Sequence, residues 1–381
     1  MPAKYTVADV LKIEQAHLPK LCANTWQLRT LHAIKKCRTA ALGGHIDRCQ
    51  KCNKMHLFYH SCRNRHCPTC QGHKVKDWIK AREKELLPVG YFHVVFTLPR
   101  EVNIVALQHP RKVYATLFKA AWQTLNQFAK NPKHLGAQMG MIAVLHTWGQ
   151  NLSLHPHLHC IVPGGGVSEA GFWKKAKSKG KYLFNVKSMS KVYRAKFVAE
   201  LRKVLPELPQ SFYDPLFKHK WVVFANPPFL TPKFVIEYLG RYTHKIAISN
   251  YRIRHINYKN KTVTFSLKNY NKGGAKALQT LSTGEFVRRF AMHILPKGFT
   301  KIRHYGILSS SWKKKKLPAL QQSMPDYTPE VAVENTQEPP QTVLRKCPAC
   351  KTGLLLTLIV FDKRGPPKRY KKLMQKLETK L

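Results

Sequence analysis

Histidine recurs at every second position in His155-Pro156-His157-Leu158-His159, beside an apolar run that ends in Pro163-Gly164-Gly165-Gly166. Successive side chains of a β-strand point to opposite faces, so the three imidazoles share one face while Leu158, Cys160 and Val162 pack on the other. Neutral imidazole is the commonest side-chain metal ligand, and ligands on one rigid strand need no loop to position them. The pattern points to a divalent metal site on a sheet, with His157 and His159 at its centre. For a third ligand the sequence offers His155, His146 and Gln150; His155 comes first because it shares the strand face. Imidazoles with open positions suit Mn2+ or Mg2+ completed by water and phosphate oxygens. An H-x-H pattern alone has many chance matches, so its weight depends on what else the chain carries.

Ten cysteines form the second chemical signal. Cys49-x-x-Cys52 and Cys67-Pro68-Thr69-Cys70 are two knuckles separated by a short loop, the spacing of a structural zinc ribbon, so Cys49, Cys52, Cys67 and Cys70 are the expected Zn2+ ligands. Cys37, His45, Cys62 and His66 could replace a knuckle cysteine or build a second site. Arg48, Lys51, Lys54, Arg63 and Arg65 make the module basic, suited to binding DNA. Near the carboxy terminus Cys347-Pro348-Ala349-Cys350 supplies only half a ligand set, so no zinc site is expected in the tail unless Cys22, Cys37 or another chain contributes.

A third signal lies after Pro227-Pro228 and Thr231-Pro232, which announce a helix with Thr231 at its cap. Tyr238 and Tyr242 are four residues apart and share a face of that helix, with Lys245 close to the same stripe. Aromatic pairs at this spacing are usually core, so the two hydroxyls gain meaning only from the company they keep.

The elements that must position these groups follow in order. Helices are predicted over Val7 to Leu18, Thr25 to Thr39, Val75 to Leu87, Arg111 to Ala129, Ser188 to Val204 and Gly284 to Lys301. Strands are predicted over Tyr91 to Leu98, Met141 to Thr147, the histidine segment, Trp221 to Ala225, Tyr251 to Tyr258 and Thr262 to Leu267, with a tight hairpin at Gln150 to Ser153. Phe299, Arg303, His304 and Tyr305 read as an aromatic, basic turn. Pro325 to Pro340 has linker composition, and Gly353 to Phe361 is an apolar run of strand length. The expected divisions are 1–88, a zinc-binding DNA-recognition domain; 89–270, catalytic; 271–320, a basic extension; 321–345, a linker; and 346–381, a basic tail.

Sixty-six Lys and Arg against 19 Asp and Glu give a formal net charge of +47, which calls for a polyanionic partner, most plausibly nucleic acid. A hydrophobic content of 44% over 381 residues is enough to build real cores. No stretch reaches the roughly 18 apolar residues of a membrane span, and the first residues lack a signal-peptide core, so a cytoplasmic protein without a membrane partner is expected. A reducing compartment also favours metal-bound or free thiols over disulfides.

Together these signals resemble the two-tyrosine transposases of the HUH endonuclease superfamily, and within them the insertion-sequence 91 family. The resemblance covers about Cys37 to Leu308. It is carried by Cys37-Arg-Thr-Ala-Ala-Leu-Gly-Gly-His45, Ser61-Cys-Arg-Asn-Arg-His-Cys-Pro68, the His-Pro-His-Leu-His segment with its triple glycine, Tyr238-Leu-Gly-Arg-Tyr242 and Arg303-His-Tyr-Gly306. His157-Leu158-His159 falls on the family's histidine-hydrophobe-histidine motif, and Tyr238 and Tyr242 fall on its catalytic tyrosines.

The resemblance implies an α+β fold, an HUH core with a central, mainly antiparallel sheet flanked by helices and preceded by a small zinc-ribbon-like module. It implies rolling-circle transposition: nicking and rejoining of single-stranded or melted element ends through a 5′-phosphotyrosine link. Arg241 and Lys245 would assist the tyrosines, and Arg63, Arg65 and Arg241 would contact DNA. A replication initiator or relaxase would use the same groups. An inactive zinc DNA-binding protein would leave the histidine and tyrosine pairs without a role.

Overall fold

A computed structural model of the chain describes residues 3–70, 85–177, 183–226, 235, 240, 246–269, 273–324 and 345–378. The amino-terminal helix Val7–Ile13 starts at a reciprocal cap, in which the Thr6 hydroxyl accepts from the Asp9 amide at 3.2 Å and the Asp9 carboxylate accepts from the Thr6 amide at 3.0 Å. A second helix, Thr25–Lys35, is capped by Asn24, whose side-chain oxygen accepts from the Gln27 amide. An antiparallel hairpin follows, β1 (Gly44–Cys49) and β2 (Met55–Tyr59), in register from Gly44 opposite Tyr59 to Arg48 opposite Met55.

The central sheet is built from β3 (Tyr91–Thr97), β4 (Gly140–Trp148), β5 (Leu154–Pro163) and two short outer strands, β8 (Val223–Ala225) and β12 (Ile302–Gly306). Its order is β12-β4-β5-β3-β8 with every neighbouring pair antiparallel. Strand alternation sorts the side chains. Phe92, Val94 and Phe96, then Met141, Ala143 and Leu145, then Leu158, Cys160 and Val162 enter one core. That face is covered by helices Pro110–Lys130 and Val186–Val204, whose buried residues join the same core. The opposite face carries Tyr91, Ile142, Val144 and Ile161 in a separate apolar cluster with Leu317 and Leu320, and beyond them the histidines.

Between β5 and the second long helix, β6 (Gly165–Val167) pairs with β7 (Trp173–Lys175). A Cβ on Gly165 would stand 2.4 Å from the Lys174 carbonyl oxygen, so this glycine is needed for strand contact.

A three-stranded sheet, β9 (Ile253–Asn257), β10 (Thr262–Asn269) and β11 (Ala275–Ser282), packs with helix Thr283–Met292 and the amino-terminal helices around a common core. Strand β11 has no counterpart among the predicted strands, because its residues are exposed or half-exposed throughout and show no apolar alternation. It also carried the following helix to Lys301, whereas the helix ends at Met292. The expected turn at Arg303 to Tyr305 is instead β12, an edge strand of the central sheet.

The carboxy-terminal segment returns to the start of the chain. Strand β13 (Leu355–Phe361) pairs antiparallel with β1, making the order β13-β1-β2, and helix Lys368–Glu378 packs its Tyr370, Leu373, Met374 and Leu377 against Ile46, Leu57 and Phe361. The predicted helix at Val75, the helix after Thr231 and the linker at Pro325 to Pro340 lie wholly or mostly outside the described residues. Antiparallel sheets flanked by helices, with a cysteine-rich module at the amino-terminal end, make this an α+β protein. No described helix is long and apolar enough to cross a membrane.

Candidate metal centres

The β4–β5 hairpin places His146 directly opposite His157 and Val144 opposite His159. Ligand nitrogens of His146, His157 and His159 all lie within 4.8 Å of one another. His155, the first choice from strand alternation, is not in that group; it lies past the β-bulge that follows His146, with an exposed side chain. The partner strand supplies the third imidazole, which alternation within a single strand cannot reveal.

Outer hydrogen bonds orient His157 and His159. His157 Nδ1 is 2.7 Å from the His155 carbonyl oxygen and donates to it, which leaves Nε2 as the nitrogen to ligate. His159 Nδ1 is 2.9 Å from Nε2 of His93, whose other nitrogen meets the Asn226 amide at 3.2 Å. His93 comes from β3 and lies parallel to His159, at 5.1 Å between ring centroids. Its signal in the sequence was a histidine within Phe92-His93-Val94-Val95-Phe96, a polar group in an otherwise apolar strand. The third ring, His146, stacks on Trp148 at 4.5 Å and 20°.

Burial pushes the His157 and His93 imidazoles down to about 4 and lowers His155 as well. His93 and His157 are therefore neutral at neutral pH, the form in which an imidazole ligates. An all-nitrogen donor group with no carboxylate fits Mn2+ better than Mg2+, which prefers oxygen. Of the expected tyrosine site, Tyr238, Arg241, Tyr242 and Lys245 lie outside the described residues. Val235, three positions before Tyr238, is buried in the apolar cluster on the histidine face of the sheet.

The cysteines form two separate groups of four, Cys37, Cys62, Cys67 and Cys70, and Cys49, Cys52, Cys347 and Cys350. The two knuckles expected to share one ion thus belong to different sites. The hairpin explains the separation: Cys49 and Cys52 sit at its turn, while Cys37 precedes β1 and Cys62 follows β2 at the open end. Five strand residues put these ends roughly 17 Å apart. In the first group Sγ of Cys70 is 3.5 Å from Cys37 and 3.7 Å from Cys62. Four sulfurs about 2.3 Å from a tetrahedral ion lie about 3.8 Å apart, whereas a disulfide measures about 2.05 Å, so the spacing is that of a zinc tetrahedron. Hydrogen bonds from Cys62 and Cys67 hold the Cys37 thiol well below its ordinary value, the direction that favours a thiolate ligand. His66 is buried beside this group and outside the ligand set.

Of the basic residues, Arg63 is exposed, in a left-handed conformation at φ 52°. Arg65 donates to the carbonyls of Phe299 at 2.6 Å and Pro296 at 3.3 Å, which ties the zinc module to the turn before β12.

His293 shows a buried histidine with a structural role. The Thr147 hydroxyl meets its Nδ1 at 3.2 Å, and its Nε2 donates to the Leu152 carbonyl at 3.1 Å. Burial pushes it from 6.5 down to about 4. As pH falls from 6.5 to 4 the unfolded chain takes up a proton that the folded chain refuses, so the stability present above 6.5 is lost through that window, by about 3 kcal/mol for His293 alone. Urea unfolding at about pH 5 and about pH 7 will show the lower midpoint at the acid value, and His293→Gln will reduce the difference by the His293 share, the other buried histidines keeping theirs.

Comparison with known proteins adds the following. Residues 12–98 match the family described as "Transposase zinc-binding domain", and residues 140–316 match the family described as "Putative transposase". A protein of Sinorhizobium fredii (strain NBRC 101917 / NGR234), "Putative transposase y4qJ", is 42% identical over 372 residues, covering 91% of this chain and 92% of the relative. The "Transposase for insertion sequence element IS801" of Pseudomonas savastanoi pv. phaseolicola is 27% identical over 331 residues, covering 80% of this chain and 77% of its own. Among solved structures, the conjugative relaxase TrwC in complex with oriT DNA aligns at 17% identity and a TM-score of 0.24, over 29% of this chain and 44% of the relaxase chain.

Proposed function

The chain belongs to the insertion-sequence 91 family of transposases, with that family's amino-terminal zinc-binding domain, and from that membership we propose that it cuts and rejoins single-stranded DNA at element ends by rolling-circle transposition, through a tyrosine-linked intermediate. The observation that carries the proposal is the convergence of His146, His157 and His159 on one sheet face, with two of the rings fixed by hydrogen bonds to their outer nitrogens. A divalent ion held there, Mn2+ or Mg2+, supplies Lewis acidity to the scissile phosphate.

The protein supplies the nucleophile. The hydroxyl of Tyr238 or Tyr242 attacks phosphorus in line; its oxygen–phosphorus bond forms as the bond to the 3′ oxygen breaks, and the phenolic proton is given up as the 3′ hydroxyl is released. A phenol with an ordinary pKa of about 10 needs cations beside it, and Arg241 and Lys245 adjoin the pair in sequence. The 5′-phosphotyrosine ester keeps the energy of the broken bond, so rejoining needs no ATP. A second tyrosine allows a second cut before the first link is resolved.

The substrate is a single or melted strand, whose phosphate can be reached freely. A net charge of +47 supplies the attraction for it, and Arg63 is a contact residue in the recognition domain. Such a protein works in the cytoplasm, on the nucleoid.

The test is incubation with Mn2+ or Mg2+ and labelled single strands spanning the element ends, read as a covalent protein–DNA band on a denaturing gel. The expected band disappears with EDTA and in the Tyr238→Phe/Tyr242→Phe double variant. Intact binding with no band on authentic ends would instead identify an inactive DNA-binding protein.

A further inference from the structure

We propose that the chain holds a second structural zinc ion, bound by Cys49, Cys52, Cys347 and Cys350, which clasps the carboxy-terminal segment to the amino-terminal module. Sγ of Cys49 lies 3.7 Å from that of Cys350, and Sγ of Cys52 lies 3.8 Å from that of Cys347. These are the edges of a tetrahedron of thiolates about 2.3 Å from its centre, far longer than a disulfide. Cys49 and Cys347 are 0% and 1% exposed. Four thiols this close together, two of them buried and two half-buried, form a ligand set.

The backbone around the two knuckles repeats itself, although 295 positions separate Cys52 from Cys347. In each, the residue after the second cysteine is left-handed, Asn53 at φ 56° and Lys351 at φ 61°. Its amide donates to the carbonyl of the first cysteine, at 3.0 Å for Asn53 and 2.9 Å for Lys351. Amides also donate to ligand sulfurs, at a different place in each turn: Cys52 to Cys49 at 3.4 Å, and Gly353 to Cys350 at 3.2 Å. Two copies of one turn, face to face, place their sulfurs on a common centre.

The surroundings are built for this closure. A Cβ on Gly353 would stand 2.4 Å from Sγ of Cys49, so only glycine lets the two turns meet. Strand β13 leaves the second knuckle and pairs with β1, which leads into the first. Asp47, 1% exposed, accepts from the Thr357 hydroxyl at 2.8 Å and from Arg345 at 3.3 Å, adding a polar tie across the same junction. Four thiolates with Zn2+ carry a net charge of −2, which Lys51, Lys54, Lys346 and Lys351, all next to or near ligands in sequence, offset.

The matched zinc-binding family spans residues 12–98 and so contains half of this site. The other half comes from the end of the chain, so this ion makes the amino-terminal module and residues 345–378 one folded unit.

The test measures bound zinc in the full chain by mass spectrometry and by Co2+ substitution, in a His157→Ala/His159→Ala background so that only thiolate sites count. The expected content is two ions per chain, one for each cysteine group, falling to one in Cys347→Ser/Cys350→Ser. Cys350→His, which keeps a ligand, retains both ions and shifts the Co2+ absorption of one centre from an all-sulfur to a mixed sulfur and nitrogen pattern. That variant keeps the proposal testable if the double serine chain does not fold. One ion per chain at the start, an unchanged content in the serine variant, or an unchanged Co2+ spectrum in Cys350→His would each overturn it.

Discussion

The His157→Ala protein binds single-stranded end DNA and does not cut it. His157 sits directly opposite His146, is two residues from His159, and is oriented through its Nδ1 by the His155 carbonyl. Its removal leaves two imidazoles, too few to hold an ion firmly at the scissile phosphate. Lewis-acid stabilisation is worth several kcal/mol, and each 1.36 kcal/mol is tenfold in rate, so cleavage falls by roughly a thousandfold or more. Binding depends on distributed cations and changes little. The proper comparison is His93→Ala, which keeps all three ligands and removes the partner of His159; metal affinity there drops roughly 10- to 100-fold, and added Mn2+ restores cleavage. Equal activity of His157→Ala and the parent in the covalent-band assay would remove the histidine group from the reaction.

Cys67→Ser destabilises the amino-terminal module together with the β9–β11 sheet packed on it. Cys67 is 1% exposed and packs, with Cys37 and Cys70, in the same core as Leu11, Leu31, Ile34, Phe265 and Phe286. The zinc site at the open end of the hairpin therefore organises two helices and the β9–β11 sheet as well as its own loop. Structural zinc contributes about 10–16 kcal/mol in small zinc domains, so losing one ligand and the ion costs on the order of 5 kcal/mol or more. At about 2–4 °C per kcal/mol, the melting temperature falls by roughly 10–20 °C. Calorimetry reads this, and a chelator, which strips both cysteine groups of their ions, brings the parent protein to that value or below. Full stability without zinc would mean that packing alone holds the four thiols in place.

The two predictions rest on parts of the molecule that were unequally legible in the sequence. Alternation along His155 to Val162 separated the histidine face from the core face, and β5 obeys it: Leu158, Cys160 and Val162 are buried among the long helices. The hairpin at Gln150 to Ser153, the β3 strand and both long helices also follow from local patterns. Strand β12 did not, because Arg303, His304 and Tyr305 have no apolar period; pairing with β4 sets it in the sheet, with Tyr305 stacked on Trp122 and Arg303 over Phe118.

Residue types and short spacings by themselves determined the chemistry available to this protein: imidazoles in alternation, thiols in knuckles, a tyrosine pair and a large positive charge. Which of those groups meet was decided by the tertiary structure. His146 joins His157 through strand register, and His93 reaches His159 from the neighbouring strand. The two adjacent knuckles are parted by a hairpin, and one of them closes on cysteines from the far end of the chain. The physical reason is the same in each case. Spacing along the chain governs direction and face within one element, whereas a ligand set is a set of distances between elements, which only pairing and packing establish.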